Sequence, residues 1–544
     1  MHPSAHVSTF CRDNLPPPEL WPTLLLDPDG SGGDLSFPPQ LNCVEALLDD
    51  WVARGEGGRL CVQGYAHGAE VRWTYADLSA EVSRIAHTLI DDLGVLPGER
   101  VLLRGPNTPA LAACWLAIVK VGAVAVATMP LLRARELGQV IRKAEVRYAL
   151  CDERLLDELE RARADCPTLT TLTPFLSHAP HALDTLAAPK PTSFKATPTA
   201  SDDVCLIAFT SGTTGEPKGT MHFHRDIIAA CRCWPPQCLQ PTPSDIFIGS
   251  PPLAFTFGLG GLLLFPLSAG ASTVLIERAT PDALLEATAR YSATVMVTAP
   301  TAYRAMAPLT AHHDLSALRR CVSAGEALPA ATRALWRERT GVEMIDGIGS
   351  TELLHIFISH TIHDARPGAT GRPVRGYEAR VVDEEGNPLP PNTIGRLAVR
   401  GPTGCRYLAD ERQRGYVQGG WNLTGDAYLI DEDGYFIYQA RTDDMIISGG
   451  YNIAGPEVES ALLAHEAVAE CGVIGAPDEE RGQIVKAFVV LRPGHAPTPE
   501  LARALQEFVK STVAPYKYPR SVVFCDALPR TETGKLQRFK LRGL

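Results

Sequence analysis

The chain has 544 residues, room for two to four folded units at roughly 100–200 residues each. Hydrophobic residues make up 45% and charged residues 21%, an ordinary globular mixture that excludes wholesale disorder. Asp plus Glu (62) outnumber Lys plus Arg (51), and the resulting charge of -11 argues against a general nucleic-acid or anionic-membrane binder. A local basic pocket for phosphates stays compatible with that balance.

In chain order, residues 1–14 mix His, Ser, Arg and Asp without an apolar run. No signal peptide is visible there, and a cytoplasmic protein is expected. Residues 74–92 have helical spacing, with Leu78, Val82, Ile85, Leu89 and Ile90 on one face. A strand at 101–103 follows. A helix is predicted over 109–121, with Thr108 as N-cap and Pro109 at the first helical position, where its missing N–H costs nothing. Further strands are predicted at 123–128, 148–151, 204–209, 273–276 and 294–298. Such short apolar runs suit parallel strands covered on both faces. Residues 167–200, rich in Thr, Pro, Ser and Ala, read as a long surface loop. Residues 253–276 are long and apolar enough for a bilayer, but Gly258, Gly260, Gly261, Pro266 and Gly270 interrupt them. A buried helix followed by a buried strand is the better reading.

From Tyr377 to about Tyr438 the character turns β-rich, with turns at Glu385-Gly386-Asn387 and Asp433-Gly434. The last hundred or so residues read as another α/β unit, with helices at 456–465 and 499–513 and strands at 471–474 and 487–491. The 14 cysteines are scattered. Cys231, Cys233 and Cys238, with His222 and His224 upstream, match no common structural-zinc spacing, so free buried thiols are expected.

The strongest local signal is Thr210-Ser-Gly-Thr-Thr-Gly-Glu-Pro-Lys-Gly219, directly after a predicted buried strand. The hydroxyls of Thr210, Ser211, Thr213 and Thr214, the freedom of Gly212 and the ammonium of Lys218 can surround phosphate oxygens. It is not a Walker A loop, because Lys218 is followed by Gly219 rather than Ser or Thr. The loop closely resembles the phosphate-binding signature of the acyl-adenylate-forming superfamily, and further stretches resemble that family's other motifs in order. Gly347-Ile-Gly-Ser-Thr-Glu352 resembles the second; the resemblance implies that Thr351 contacts the α-phosphate and Glu352 holds Mg²⁺, with Asp346, Gly347 and Ile348 beside the nucleotide. Ile348 stands where many members carry a Tyr that stacks on adenine. Thr424-Gly-Asp426 resembles the third, which assigns Asp426 to the ribose hydroxyls. Arg441-Thr-Asp-Asp444 resembles the interdomain motif, which implies Arg441 at the nucleotide and Asp443 at a hinge; Ala440 and Ile447 depart from the commoner Gly and Lys. Ser448-Gly449-Gly450-Tyr451 is similar to the loop used in thioester formation. Pro529-Arg-Thr-Glu-Thr-Gly-Lys535 resembles the signature whose lysine serves adenylation.

The implied fold is α/β: a large N-terminal domain (1–440) of two α/β subdomains plus a β-rich subdomain, a hinge (441–444), and a small mobile C-terminal α/β domain (445–544). The implied reaction joins a carboxylic acid to CoA with ATP and Mg²⁺, through an acyl-adenylate, with no covalent enzyme intermediate. The surroundings resemble aryl-CoA ligases. By that resemblance Thr256, Phe257, Ala324, Gly349, His355 and Ile356 line an acyl pocket, a slot for a flat ring. Gly450-Tyr-Asn-Ile-Ala-Gly-Pro-Glu457 looks more like 2-aminobenzoate-CoA ligases than benzoate enzymes, so 2-aminobenzoate is expected first and benzoate second. Loading of an aryl group onto a carrier protein is an alternative, and a catalytically silent nucleotide sensor is disfavoured by the presence of Glu352, Asp426, Arg441 and Lys535. No nucleic-acid or membrane partner is expected. The family often forms homodimers.

Overall fold

The computed structural model describes residues 3–26, 35–66, 68–210, 216–448, 451–478, 481–513, 515–530 and 536–544. Its first sheet has six strands in the order Thr171–Phe175, Tyr148–Asp152, Arg100–Arg104, Val124–Thr128, Val204–Thr210, Lys218–Phe223. The first five run parallel and the last returns antiparallel. Arg100–Arg104, at its centre, is buried along its whole length, as a strand covered on both faces must be. The helix Pro109–Lys120 is almost wholly buried, and Thr108 caps it by accepting the Leu111 N–H at 3.1 Å. Lys120 at its end would be a costly buried cation, but Asp49 pairs with it at 2.9 Å.

The second sheet has nine strands, ordered Arg372–Pro373, Ile356–Ser359, Met344–Gly349, Arg320–Ala324, Val295–Thr298, Ile246–Gly249, Ser272–Val274, Leu60–Ala66, Ala69–Thr74. Its interior is parallel; Ile356–Ser359, Arg372–Pro373 and Ala69–Thr74 are antiparallel additions at the two edges. A third, antiparallel sheet joins Glu378–Val382, Gly395–Arg400, Trp421–Ile430, Val417–Gln418 and Phe436–Arg441. A fourth lies in the C-terminal region: Tyr451–Ile453, Ile446–Ser448, Gly482–Leu491 and Val468–Asp478, with Ser521–Phe524 parallel to Gly482–Leu491. Helices Gly455–Leu463 and Pro499–Thr512 close its own core, which includes Ile453, Val458, Leu462, Val473, Val489, Leu505 and Val509. The expected mixed α/β architecture with a separate C-terminal α/β region is therefore present.

Two expectations need correction. Residues 167–200 are not one loop, because they contain the edge strand Thr171–Phe175 and the short helix Leu183–Ala187. Ile90, placed on the buried helix face, is 36% exposed, because a π turn over Thr88–Asp92 rotates it outward. Residues 253–276 hold, as expected, a buried helical run, made of Thr256–Leu259, the π segment Gly260–Leu264 and Phe265–Ala269 without a break, and then the buried strand Ser272–Val274. Among the described residues no helix is long and apolar enough to cross a membrane.

All 14 cysteines are free, and only Cys525 is not fully buried. Cys43, Cys205 and His224 bring donor atoms within 4.8 Å of one another. The Cys43 backbone N–H donates to His224 Nδ1 at 3.2 Å, which occupies the lone pair a metal would need. The trio ties residue 43 to the Val204–Thr210 and Lys218–Phe223 strands of the first sheet as a packing unit.

Candidate functional site

The site forms where parallel strands end, the usual place for ligands in open α/β sheets. Val204–Thr210 and Lys218–Phe223 are a hairpin with Thr210 opposite Lys218, so the glycine-rich motif is the loop between them. Ser211, Gly212, Thr213 and Thr214 lie outside the described residues. Lys218 Nζ donates to the Tyr407 phenol at 3.3 Å and sits 5.2 Å over its ring. Tyr407 in turn donates to Glu352 Oε1 at 2.5 Å. Burial first, and then the Glu352 charge, pushes the Tyr407 phenol far above its ordinary pKa, so it stays a donor. Glu352 is 8% exposed and makes no other hydrogen bond among the described residues, which leaves its second oxygen for another ligand.

The neighbouring Thr351 is held through its backbone: its carbonyl accepts from His222 Nε2 at 2.8 Å. That bond assigns the proton to Nε2. Behind His222 stands Asp226, 3.8 Å from Nδ1 and paired with Arg406 at 2.9 Å. Burial opposes the Asp226 charge, but the neighbouring guanidiniums, Arg406 first and then Arg225, overcome it and hold the carboxyl at about 2.

The nucleoside side is built on the third sheet and the end of Met344–Gly349. Asp426 and Arg441 are cross-strand partners, and Arg441 donates to Asp426 Oδ1 at 3.1 Å and to the Thr424 carbonyl at 2.9 Å. Gly425 between them has φ +77°, and a Cβ there would lie 2.6 Å from Arg441 Nη2. The glycine of Thr-Gly-Asp is thus favoured by its backbone conformation, and a Cβ there would push the guanidinium aside. Asp346 has its backbone pinned, its N–H donating to His360 Nε2 at 3.1 Å and its carbonyl accepting from Ser359 at 2.6 Å. Its carboxyl is different: Oδ1 is buried without a partner among the described residues, and burial, only partly countered by Arg333, raises the pKa to about 7. Gly347 stands opposite Ala324 and Ser359, and Ile348 is half-buried against the core.

The predicted acyl residues converge. Ala324 is in register with Gly347, and Gly349 with Ile356. A Cβ on Gly349 would lie 2.7 Å from the His355 carbonyl, so this tight return needs glycine. Thr256 and Phe257 begin the helix Thr256–Leu259, and the Phe257 carbonyl accepts from His355 Nε2 at 3.3 Å. Trp234, Phe257 and Phe265 surround that imidazole, with ring centroids at 5.7, 5.8 and 4.5 Å. Burial drives the His355 pKa down to about 3, so the ring is neutral. Since a carbonyl can only accept, Nε2 carries the hydrogen and Nδ1 is a bare acceptor, buried and without a partner among the described residues.

Towards the C-terminus, Arg441 ends its strand and Thr442–Asp444 form a short 3₁₀ turn that contains Asp443. Tyr451 opens the strand Tyr451–Ile453. Gly449, Gly450 and Lys535 lie outside the described residues. The segment carrying Lys535 is anchored at its base, where Arg530 and Leu536 form a β-bridge. Arg530 lies 3.8 Å from Glu326, two residues beyond Ala324. Tyr407 and Trp234 escaped the sequence reading, and His222 entered it only beside the cysteines weighed for zinc. Cys405-Arg-Tyr-Leu408 carries no spacing that marks a site, because its contacts cross from one sheet to another.

A family profile described as AMP-binding enzyme matches residues 48–407, and one for the AMP-binding enzyme C-terminal domain matches residues 457–535. The chain belongs to the AMP-binding enzyme family. A benzoate–CoA ligase of Thauera aromatica is 36% identical over 94% of this chain and 97% of its own. Among solved structures, an anthranilate CoA ligase in complex with anthranoyl-AMP is 38% identical with a TM-score of 0.88, covering 94% of this chain and 98% of its own. A benzoate CoA ligase from Burkholderia xenovorans LB400 is 33% identical with a TM-score of 0.83, covering 92% of this chain and 100% of its own. Within the family, the protein is an AMP-forming acid–CoA ligase.

Proposed function

We propose that the enzyme converts 2-aminobenzoate, ATP and CoA to 2-aminobenzoyl-CoA, AMP and pyrophosphate. In the first step a carboxylate oxygen attacks the α-phosphorus, the bond to pyrophosphate breaks, and the acyl-adenylate forms. In the second, CoA thiolate attacks the acyl carbonyl and AMP leaves with the bonding electrons. The Thr210–Lys218 hairpin takes phosphate oxygens and Thr351 the α-phosphate. Asp426 takes the ribose hydroxyls, whose vicinal donors suit two carboxylate oxygens. Arg441 orients Asp426 and the nucleotide. Asp346 Oδ1, an acceptor without a partner among the described residues, suits the exocyclic amine of adenine, with Ile348 as an aliphatic wall in place of a stacking ring. Glu352 fits Mg²⁺: it is a hard oxygen donor with one oxygen fixed by Tyr407 and the other open. When bound there, the ion neutralises charge on phosphate oxygens. Residues 441–444 are the hinge between a large domain (1–440) and a small one (445–544), and Asp443 is its pivot. The small domain brings Lys535 to the adenylation step and the Gly449–Gly450–Tyr451 loop to the thioester step.

The observation that carries the substrate is the neutral His355 beside Thr256 and Phe257, whose Nε2 is tied to the Phe257 carbonyl and whose Nδ1 is a bare acceptor without a partner among the described residues. An ortho amino group has two N–H bonds, so it can bond its own carboxylate and also donate to Nδ1. An ortho hydroxyl has one hydrogen, which its own carboxylate takes. Benzoate fits the slot but leaves Nδ1 unpartnered, which places it second; benzoate–CoA ligases among the relatives support it as an alternative. Mass spectrometry of CoA thioesters, with 2-aminobenzoate, benzoate, 2-hydroxybenzoate, cinnamate and fatty acids, tests the reading. The 2-aminobenzoyl thioester should dominate, benzoate should follow, and 2-hydroxybenzoate should trail. A benzoate preference would overturn the substrate, and pyrophosphate release without thioester would point to carrier-protein loading.

A further inference from the structure

Arg304 belongs to the helix Pro300–Met306, which follows the Val295–Thr298 strand of the second sheet. Its guanidinium reaches into the C-terminal region. Nε donates to the Ala469 carbonyl at 3.0 Å, and Nη2 approaches the carbonyls of Val468 at 3.3 Å and Leu463 at 3.4 Å. These acceptors are available for a structural reason. Leu463 ends the helix Gly455–Leu463, where the last carbonyls have no partner within the helix. Ala469 is the extra residue of a β-bulge: Val468 pairs with Leu491 and Glu470 with Val490, so Ala469 has no ladder partner. The bulge therefore turns a backbone acceptor out of the small sheet toward the other region.

The same face carries a second contact. Glu326 accepts from the Thr301 hydroxyl at 3.0 Å, at the start of the helix that bears Arg304. Arg530 lies between this carboxylate, at 3.8 Å, and Glu470, at 2.7 Å, one residue after the bulge. Arg530 also forms the base of the segment that carries Lys535. The helix Pro300–Met306 and the bulged strand are thus joined at two points beside that segment.

We propose that Arg304, seated on the bulge carbonyl of Ala469, is the latch that holds the small domain in its adenylating orientation, with the Glu326–Arg530 pair as its second point. Arg304 touches no reacting atom and acts as a positioning residue, through the placement of Lys535. The proposal rests on the two-orientation reading given above. The thioester step uses the other orientation, so the latch has to open between the two half-reactions, and its strength sets how the two are balanced.

The test measures both half-reactions separately: ATP–pyrophosphate exchange with 2-aminobenzoate and benzoate, and single-turnover thioester formation from supplied aryl-adenylate and CoA. Arg304→Ala should slow exchange at least ten-fold and leave thioester formation unchanged or faster. Arg304→Lys, which cannot bridge two carbonyls from one planar head, should fall between and serves if the alanine variant melts early. Glu326→Gln should weaken exchange in the same direction. An equal fall in both half-reactions, or no change in either, overturns the latch. Failure of the two-orientation reading is seen elsewhere, as an equal loss of both half-reactions in Lys535→Ala.

Discussion

At the scale of single residues, two buried titratable groups carry the sharpest expectations. His355 Nδ1 is an acceptor in an apolar enclosure, and a hydrogen bond to it is worth about 1 kcal/mol net, more when its loss strands a buried group. Replacing His355 by Leu should cut the kcat/KM preference for 2-aminobenzoate over benzoate about ten-fold, mainly by lowering the 2-aminobenzoate value. Equal loss for both acids would reduce His355 to packing against Trp234 and Phe265. Asp346 supplies the pH test. Its folded pKa of about 7 lies above the ordinary carboxylate value near 3.9, so the folded protein binds a proton that the unfolded chain has released. Stability therefore falls as pH rises from about 4 to about 7, and the full penalty is present above that. Asp346→Asn removes the ionisation. Its stability advantage over the wild type should widen by about 2 kcal/mol between pH 5 and pH 8, read from paired denaturant melts. A constant difference across that range would mean that Asp346 is not raised.

At the scale of elements, the turn-and-cap chemistry was the most legible part. Thr108-Pro109 starts its helix as read, whereas Thr74, read as part of the helical stretch 74–92, is the N-cap and closes a capping box with Asp77 ahead of the helix Tyr75–His87. The strand Thr171–Phe175 escaped because Pro174 lies inside it, which an edge strand tolerates and an interior one does not. Leu183–Ala187 is only five residues long, too short to show a period. The motif loops were legible because each needs a particular backbone. Gly425 shows how strict this is. At φ +77° an alanine costs about 1 kcal/mol of strain, and its Cβ displaces the Arg441 guanidinium from Asp426. Gly425→Ala should raise the KM for ATP about ten-fold while the melting temperature drops by only a few degrees. An unchanged KM would separate the Asp426–Arg441 pair from nucleotide binding.

At the scale of the whole molecule, the described site residues come from three sheets, and this is where sequence reading stops. Local motifs announce Lys218, Glu352, Asp426 and Lys535 one by one, but nothing local says that Tyr407 joins the first two or that Arg304 grips the bulge at Ala469. Such contacts arise only when the sheets pack. They also define what a division of labour between domains requires. In the proposed cycle the small domain contributes Lys535 to one half-reaction and a different loop to the other, while the nucleotide residues of the large domain serve both. A lysine beside the α-phosphate is worth most as negative charge moves toward the leaving pyrophosphate, and it has no such task once acyl-AMP exists. Lys535→Ala should therefore lower adenylation by about a hundred-fold or more, and leave thioester formation from supplied aryl-adenylate within about two-fold of the wild type. Asp426→Ala, by contrast, should impair both steps, because the adenylate carries the same ribose. Rapid-quench measurement of each half-reaction separates these patterns, and a Lys535 variant that loses both steps equally would place that lysine in folding or in general nucleotide binding.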